Sequence, residues 1–546
     1  MTMNRRFILL ASALLLVSSQ AFAAHREVAT VEVVQIPVYI SHDGRAVTGL
    51  TKNDFELYVN GERQTVDYFD TIDFAGLPAE AASDPRQRRL YLLTFDMRFS
   101  SRAALQRAQK AAEQYVDHAV SGDVFAVATY TANHSLQFVV PFTRDQALLH
   151  RALRGLGSAR AGDPLFLTVR TDGGSMAGPD GPATQAFGFM RDLALQPLRA
   201  AAEDEIRALS HLADRMAVLE GQKHVVLLSG GFDAEPIHGV PAARPGNGYG
   251  TYFMLSNPTG YGTFSMLHDA AGNMFGTPSG NNTFSEFSTF STPYPAVQGN
   301  PQLGSDPRLG RYLEQMYGHF TAASVFLDAI DIEGLRPGQR VVDTEGLFAL
   351  TRDTGGTLVE RTSNLNQAIQ ELTDKQRVVY VLGFRPTSGR KTNGIRVEVR
   401  NAPSGARVRY RPSYSNEISL PASNDALRLA DVLMNDLPQT GLSLRAAVTA
   451  TEKRAVVDVD IATRELLALS DSQDIEAEAL IYVYSGNAVV AFKQRRITIE
   501  SARVDPAKSV RLSEQFDLPD GHYAAKVLVR FGDQIGFVRS DFVVGQ

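Results

Sequence analysis

The chain has 546 residues, a formal net charge of −6 and no cysteine. Disulfides and thiolate metal ligands are therefore excluded. With no basic stripe along the sequence, neither nucleic acid nor an anionic membrane surface is an expected partner. At ~150 residues per domain, the length predicts three or four domains held by core burial alone.

Residues 1–23 read as a secretory signal. Arg5 and Arg6 form its basic end, an apolar core runs from Phe7 to Val17, and Ala21-Phe22-Ala23 gives a small-x-small cleavage pattern. The apolar run is shorter than the ~18 residues a membrane span needs, and no later stretch is long and apolar enough. The expected product is exported, to the periplasm or beyond. Residues 24–75 read as an N-terminal β module. A strand pattern covers 31–40, and strands at 55–59 and 64–69 flank Asn60-Gly61, a strong hairpin signal. The stretch 75–88, rich in Ala, Pro and charge, reads as a linker.

From Arg89 to about Lys375, strand and helix patterns alternate. The alternation predicts an α/β domain with a doubly wound, mostly parallel sheet. Two stretches stand out within it. Arg89-Leu-Tyr-Leu-Leu-Thr-Phe-Asp96 is an apolar run that stops at Arg98, Ser100 and Ser101; Gln222-Lys-His-Val-Val-Leu-Leu-Ser229 stops at Gly-Gly-Phe-Asp233. Such runs suit strands buried on both faces, and ligands of open α/β sheets bind at the carboxyl ends of their strands. Asp96, Arg98, Ser100, Ser101, Ser229 and Asp233 are thus predicted to form a ligand-binding rim. Between the two runs the spacing predicts a helix over 105–119. An antiparallel edge pair at 124–130 and 136–141 follows, then a long helix carrying Ile206, Leu209, Leu212 and Met216. Later come a helix over 312–320, a strand over 323–330, a helix over 344–352 stopped by Gly355-Gly356, and a helix capped by Ser363 or Asn364.

Two insertions interrupt this plan. The first, about 157–185, is rich in Gly, Pro and Asp. The second covers about 235–307, and between Pro245 and Ser305 its only charged residues are Asp269 and Glu286. Tyr among Ser, Gly and Asn is the composition that binding loops favour. Tyr249, Tyr252, Phe253, Tyr261 and Phe264 are therefore predicted contact residues, with self-association of the segment as the alternative. Residues 376–415 add strands at 378–384, 395–399 and 406–410. Residues 417–546 return to β patterning, with strands at 443–449, 455–461, 477–484, 491–499 and 522–530, and are expected to form an immunoglobulin-like β-sandwich.

Several segments, in their order and spacing, resemble the secreted bacterial VWFA-related proteins of the acidobacterial type, which carry a von Willebrand factor type A (vWA) domain. They are Val47-Thr-Gly-Leu-Thr-Lys-Asn-Asp-Phe-Glu56, Phe142-Thr-Arg-Asp145 with Leu148, Leu327-Asp-Ala-Ile-Asp331 with Gly334-Leu335, and Thr354-Gly-Gly-Thr357 with Asn364 and Tyr380-Val-Leu-Gly-Phe384. The resemblance covers about residues 30–415. It implies a vWA-like domain over 89–415 and a non-enzymatic, protein-binding role in adhesion or scaffolding. vWA domains often hold Mg²⁺ through an Asp-x-Ser-x-Ser loop, a Thr from a later loop and an Asp after the fourth strand. Here Asp96 and Ser100 match, Arg98 stands at the middle Ser, and Gly230 stands at the Asp, with Asp233 three residues on. Thr168, Thr171 and Thr184 are equal candidates for the Thr.

The resemblance therefore implies a degenerate metal-ion-dependent adhesion site, with no cofactor and no metal expected. Mg²⁺ enters only if Asp96, Ser100 and Asp233 still hold it. Unit charges 4 Å apart at an effective dielectric of ~20 repel by about 4 kcal/mol, and a divalent ion would meet roughly twice that from Arg98. The expectation is that the guanidinium takes the cation's place and pairs with Asp96 and Asp233 bidentately. The alternative is that Arg98 is a solvated loop residue.

Catalytic residues are not expected. No Gly-x-Ser-x-Gly elbow lies near Ser229 and no His-Glu-x-x-His occurs. His118, His134, His211 and His224 stand singly, Gly246-Asn-Gly-Tyr-Gly250 lacks a strand-turn-helix context, and Asp328 and Asp331 read as turn-ordering residues. The reading is a binding protein whose protein partner the sequence does not name. A self-assembling envelope protein, through the aromatic insertion, and a hydrolase are the alternatives.

Overall fold

The computed structural model describes residues 33–78, 84–132, 135–156, 183–232, 234–238, 250–256, 263–268, 274–279, 306–334, 342–360, 362–386, 392–415, 425–439, 441–469, 474–500, 505 and 508–545. For 183–194 and the strands of the second insertion, the description is of the backbone. The predicted signal, most of the first insertion, and Asp233, Tyr249, Tyr261, His134, Thr168 and Thr171 lie outside the described residues.

Six strands form a mixed sheet in the order Leu358–Val359, Val325–Asp331, Gln222–Ser229, Arg89–Asp96, Asp123–Thr131 and Ser135–Thr143. Neighbours run parallel except the last pair. All eight residues of Arg89–Asp96 are buried, because side chains alternate between two covered faces. Tyr91, Leu93 and Phe95 pack with the helices Arg102–Asp117, Gln146–Gly155 and Leu365–Lys375. Leu90 and Leu92 face the helices Ala183–Met216, Pro307–Ala323 and Val342–Thr351. Each fully buried Leu or Phe stabilises by about 1.5–3 kcal/mol, so strand and helices hold one another in place.

The strands predicted for 24–75 and for 376–415 do not belong to separate units. Val34–His42 lies between Val378–Phe384 and Arg407–Arg409, and Tyr68–Asp73 pairs with the far side of Val378–Phe384. In a second sheet Thr392–Val399 pairs with Phe55–Val59 and Ser413–Ser415. The two sheets share a core of Ile36, Val38, Leu57, Tyr380, Leu382 and Val397. Asn60 (φ 52°) and Gly61 (φ 86°) form the tip of the predicted hairpin, both in the left-handed region its tight turn requires. On its outer face this unit meets the mixed sheet through Tyr39, Phe74, Val379 and Phe326.

The second insertion contains an antiparallel meander of Gly250–Ser256, Thr263–His268 and Met274–Ser279. The C-terminal strands form two antiparallel sheets. Leu444–Thr451, Arg454–Ala462 and Ser509–Asp517 make one. Ala488–Ile499, Ile475–Ser485, Gly521–Phe531 and Gln534–Val544 make the other, and the two enclose a core that includes Val457, Ile481, Val483 and Val527. The helix Asp425–Asn435 joins this unit to the mixed sheet. Val432 and Leu433 pack on Leu480 and Leu528, while Asp431 forms a buried ion pair with Arg88 at 2.6 Å.

These pairings correct the predicted α/β class. Among the described residues strand outweighs helix, five of six sheets are wholly antiparallel, and the sixth is mixed. The molecule is a β-rich assembly of several sheets, and a doubly wound parallel sheet does not describe it. The strand-helix alternation behind that expectation covers the middle of the chain, whereas period-2 strands dominate both ends. No described helix is long and apolar enough to cross a membrane.

Candidate functional site

Asp96 ends the Arg89–Asp96 strand, and Ser229 ends the neighbouring parallel strand Gln222–Ser229, so the two side chains meet. Ser229 Oγ donates to Asp96 Oδ2 at 2.5 Å. Asp96 Oδ1 accepts the N–H groups of Arg98 (2.8 Å) and Phe99 (3.1 Å), which shapes the loop that follows. Gly230 N–H donates to Ser100 Oγ at 2.9 Å, and Gly231 N–H to Ser229 Oγ at 2.9 Å. Ser101 caps the Arg102–Asp117 helix by accepting from Ala104 N–H at 3.2 Å, and gives its own N–H and hydroxyl to the Glu333 carboxylate at 2.6 and 3.0 Å. Five of the six predicted rim residues thus lie together, and Asp233 lies outside the described residues. The polar atoms of Asp96, Ser100, Ser101 and Ser229 are engaged in joining the loops to one another.

Arg98 is where the sequence reading needs correction. Its guanidinium does not pair with Asp96. Nη1 reaches Asp204 Oδ2 at 3.1 Å and the Tyr130 hydroxyl at 3.4 Å, and Asp96 receives only the main-chain N–H of Arg98. The reason is that Asp96 is already supplied with three donors, while Asp204, on the adjacent Ala183–Met216 helix, offers an exposed carboxylate. The side chain of Arg98 is 19% exposed and that of Asp204 61%. Nε and Nη2 of Arg98 have no acceptor among the described residues, so one edge of the planar fork remains open.

The residues present do not fit a Mg²⁺ site. Asp96 is fully buried with three donors already on its carboxylate, and Ser100 Oγ is turned to accept the Gly230 N–H. A Cβ built on Gly230 would fall 2.3 Å from the Phe99 carbonyl oxygen, so the aspartate of the vWA pattern has no room there. Thr184 lies in the Ala183–Met216 helix, where the description is of the backbone.

The residue the sequence reading missed is Glu205. It is 1% exposed, and neither carboxylate oxygen has a hydrogen-bond partner among the described residues. Burial, then the negative charge of Asp96, holds its carboxyl well above the ordinary glutamate range, with Arg98 only partly offsetting them. Asp96 is also raised by burial, against the opposing pull of Ser229 and the loop N–H groups. The signal was present in the helix: Glu205 sits four residues before Leu209 and three after Ala202, a carboxylate on an otherwise apolar stripe.

The single histidines are placed elsewhere. His224, fully buried, contacts the Tyr39 hydroxyl at 3.0 Å and Asp328 Oδ2 at 3.3 Å, stacked between Tyr91 and Phe326. Burial alone would raise Asp328, but Arg409 and His224 outweigh it and hold the carboxylate low. His118 contacts the Gln114 carbonyl at the end of its helix, and His211 is exposed. Asp331 accepts the Glu333 N–H at 3.0 Å and so orders its turn. Of the predicted insertion contacts, Tyr252, Phe253 and Phe264 lie on strands of the meander.

No protein-family model matches the chain, and no curated protein matches it. Among solved structures, the dimeric latent PorU of Porphyromonas gingivalis is 9% identical over 31% of this chain, with a TM-score of 0.15, and the match spans only 13% of PorU. The conserved hypothetical protein BatB of Bacteroides thetaiotaomicron is 11% identical, covering 53% of this chain and 98% of its own, with a TM-score of 0.18. Three N-terminal domains of the type V pili tip protein Mfa5 of P. gingivalis are 10% identical, covering 93% and 95%, with a TM-score of 0.23. At such TM-scores these likenesses carry no argument about fold or function.

Proposed function

We propose that the chain is an exported, non-enzymatic protein-binding protein, acting in adhesion or scaffolding, that engages its partner at the rim through Arg98 and without a resident dication. The observation that carries this reading is the Nε/Nη2 edge of Arg98, which has no acceptor among the described residues while Nη1 is held by Asp204 and Tyr130. A guanidinium fixed in this way can take a carboxylate bidentately. The sequence motifs that resemble the VWFA-related family support a binding role, and kinship with that family is part of the proposal. Export rests on the signal-like segment 1–23.

The test is capture of partners from envelope extracts by the mature chain and by its Arg98→Ala variant, each with and without chelator. The reading predicts that chelator changes nothing and that Arg98→Ala loses the specific partner. A partner captured equally by the variant, or released by chelator, contradicts it.

A second reading, self-association, is favoured by the meander in the second insertion, whose two outer strands each have one neighbour among the described residues. Deleting residues 245–305 and measuring molar mass in solution separates the readings: a fall in mass supports self-association.

A further inference from the structure

The C-terminal four-stranded sheet ends in Ala488–Ile499, whose one neighbour among the described residues is Ile475–Ser485. Alternate residues of this twelve-residue strand therefore turn N–H and C=O groups to a side with no neighbouring strand among the described residues. Three of the most exposed large apolar side chains among the described residues fall within a four-residue stretch of this strand: Val489 (49%), Val490 (48%) and Phe492 (46%). Phe492 packs on Tyr482 with ring centroids 4.5 Å apart, so the patch continues onto the outer face of the sheet. Scattered exposed apolar residues are ordinary, but a cluster along a free strand edge marks association.

Edges are commonly guarded by Lys and Arg. Here two of the strand's three cations are turned back toward the other sheet. Lys493 Nζ lies 2.9 Å and Arg495 Nη2 3.0 Å from Glu514 Oε2. The third, Arg496, lies opposite Glu478, but that carboxylate is taken by Arg530 at 2.8 Å and by Gln494. Arg496 is exposed and has no acidic partner among the described residues.

We propose that this edge receives an extended segment of a different protein, which adds as a further strand with an apolar side chain beside Phe492 and a carboxylate beside Arg496. A second copy of the same strand does not answer this edge, because residues 488–499 contain no acid to set beside Arg496. Main-chain bonding along the edge supplies affinity, and the alternate side chains supply selectivity.

The probe is a fluorescein-labelled, Thr-rich peptide with a central Tyr and a Glu four residues to either side, titrated against the full mature chain by anisotropy. Saturable binding is expected, with the Glu→Lys peptide about fivefold weaker, the size of one cross-strand charge pair. The Arg496→Glu variant should reverse that preference, and backbone N-methylation of the peptide should abolish binding. No saturable binding, equal affinity for both peptides, or binding that survives N-methylation overturns the proposal. A wild-type dimer that Phe492→Thr dissociates would also overturn it, by showing that a second copy occupies the edge.

Discussion

Glu205 makes the rim a source of pH-dependent stability. Unfolded, its carboxyl ionises near the ordinary value of 4.5; folded, burial and the Asp96 charge keep the proton on well above that. The folded state then binds more protons across the interval, so the contribution is fully present below 4.5 and is lost as pH rises toward the folded value. The limiting slope is about 1.4 kcal/mol per pH unit for one proton. Glu205→Gln removes this titration at nearly constant shape. Urea unfolding from pH 5 to 8 should show the wild type losing stability that the variant keeps, and parallel curves would refute the assignment. Gly230 makes the complementary point. A methyl group there meets the Phe99 carbonyl, so Gly230→Ala should cost about 1–3 kcal/mol in the same assay. An unchanged unfolding midpoint would show that the loop yields freely.

The elements around the rim are tied by a few directional contacts. Ser101 both caps the Arg102–Asp117 helix and clamps Glu333, so Ser101→Ala should lose about 1 kcal/mol from the cap and loosen the Asp331–Gly334 turn. Faster amide exchange at residues 102–105 and 332–334 is the expected signature, and exchange unchanged in both segments would argue against the clamp. The Asp425–Asn435 helix is held to the mixed sheet by the Arg88–Asp431 pair, with side chains 1% and 5% exposed. Asp431→Ala leaves an uncompensated buried guanidinium and should cost about 3–5 kcal/mol, whereas Arg88→Met with Asp431→Leu should recover most of that loss. Recovery is the informative outcome: if the double variant is as unstable as the single one, the pair contributes more than charge compensation.

Across the whole molecule, what was legible in the sequence was local. The two apolar runs ending at Asp96 and Ser229 are buried strands that lie side by side, and Asn364 accepts from Gln367 N–H as the cap of its helix. Non-local pairing was not legible. Asn60 and Asn393 bond across 333 residues of chain, and nothing in the periodicity of either segment announces its partner. The class of the molecule follows from such pairing too, since the antiparallel strands at either end outweigh the central strand-helix alternation. At the rim, residue positions were readable but side-chain direction was not, because Asp204 and Glu205 come from a helix the motifs do not include. Removing residues 33–78 should therefore strip both neighbours from Val378–Phe384 and unfold more than the N-terminal strands, as limited proteolysis within 376–415 would register. The most direct measurement is calorimetric titration of the mature chain with Mg²⁺ and Mn²⁺. With Asp96 buried under three donors and no room for an aspartate at Gly230, no micromolar binding is predicted in the wild type or in Arg98→Ser. Micromolar binding to either protein would contradict a rim that works without a dication.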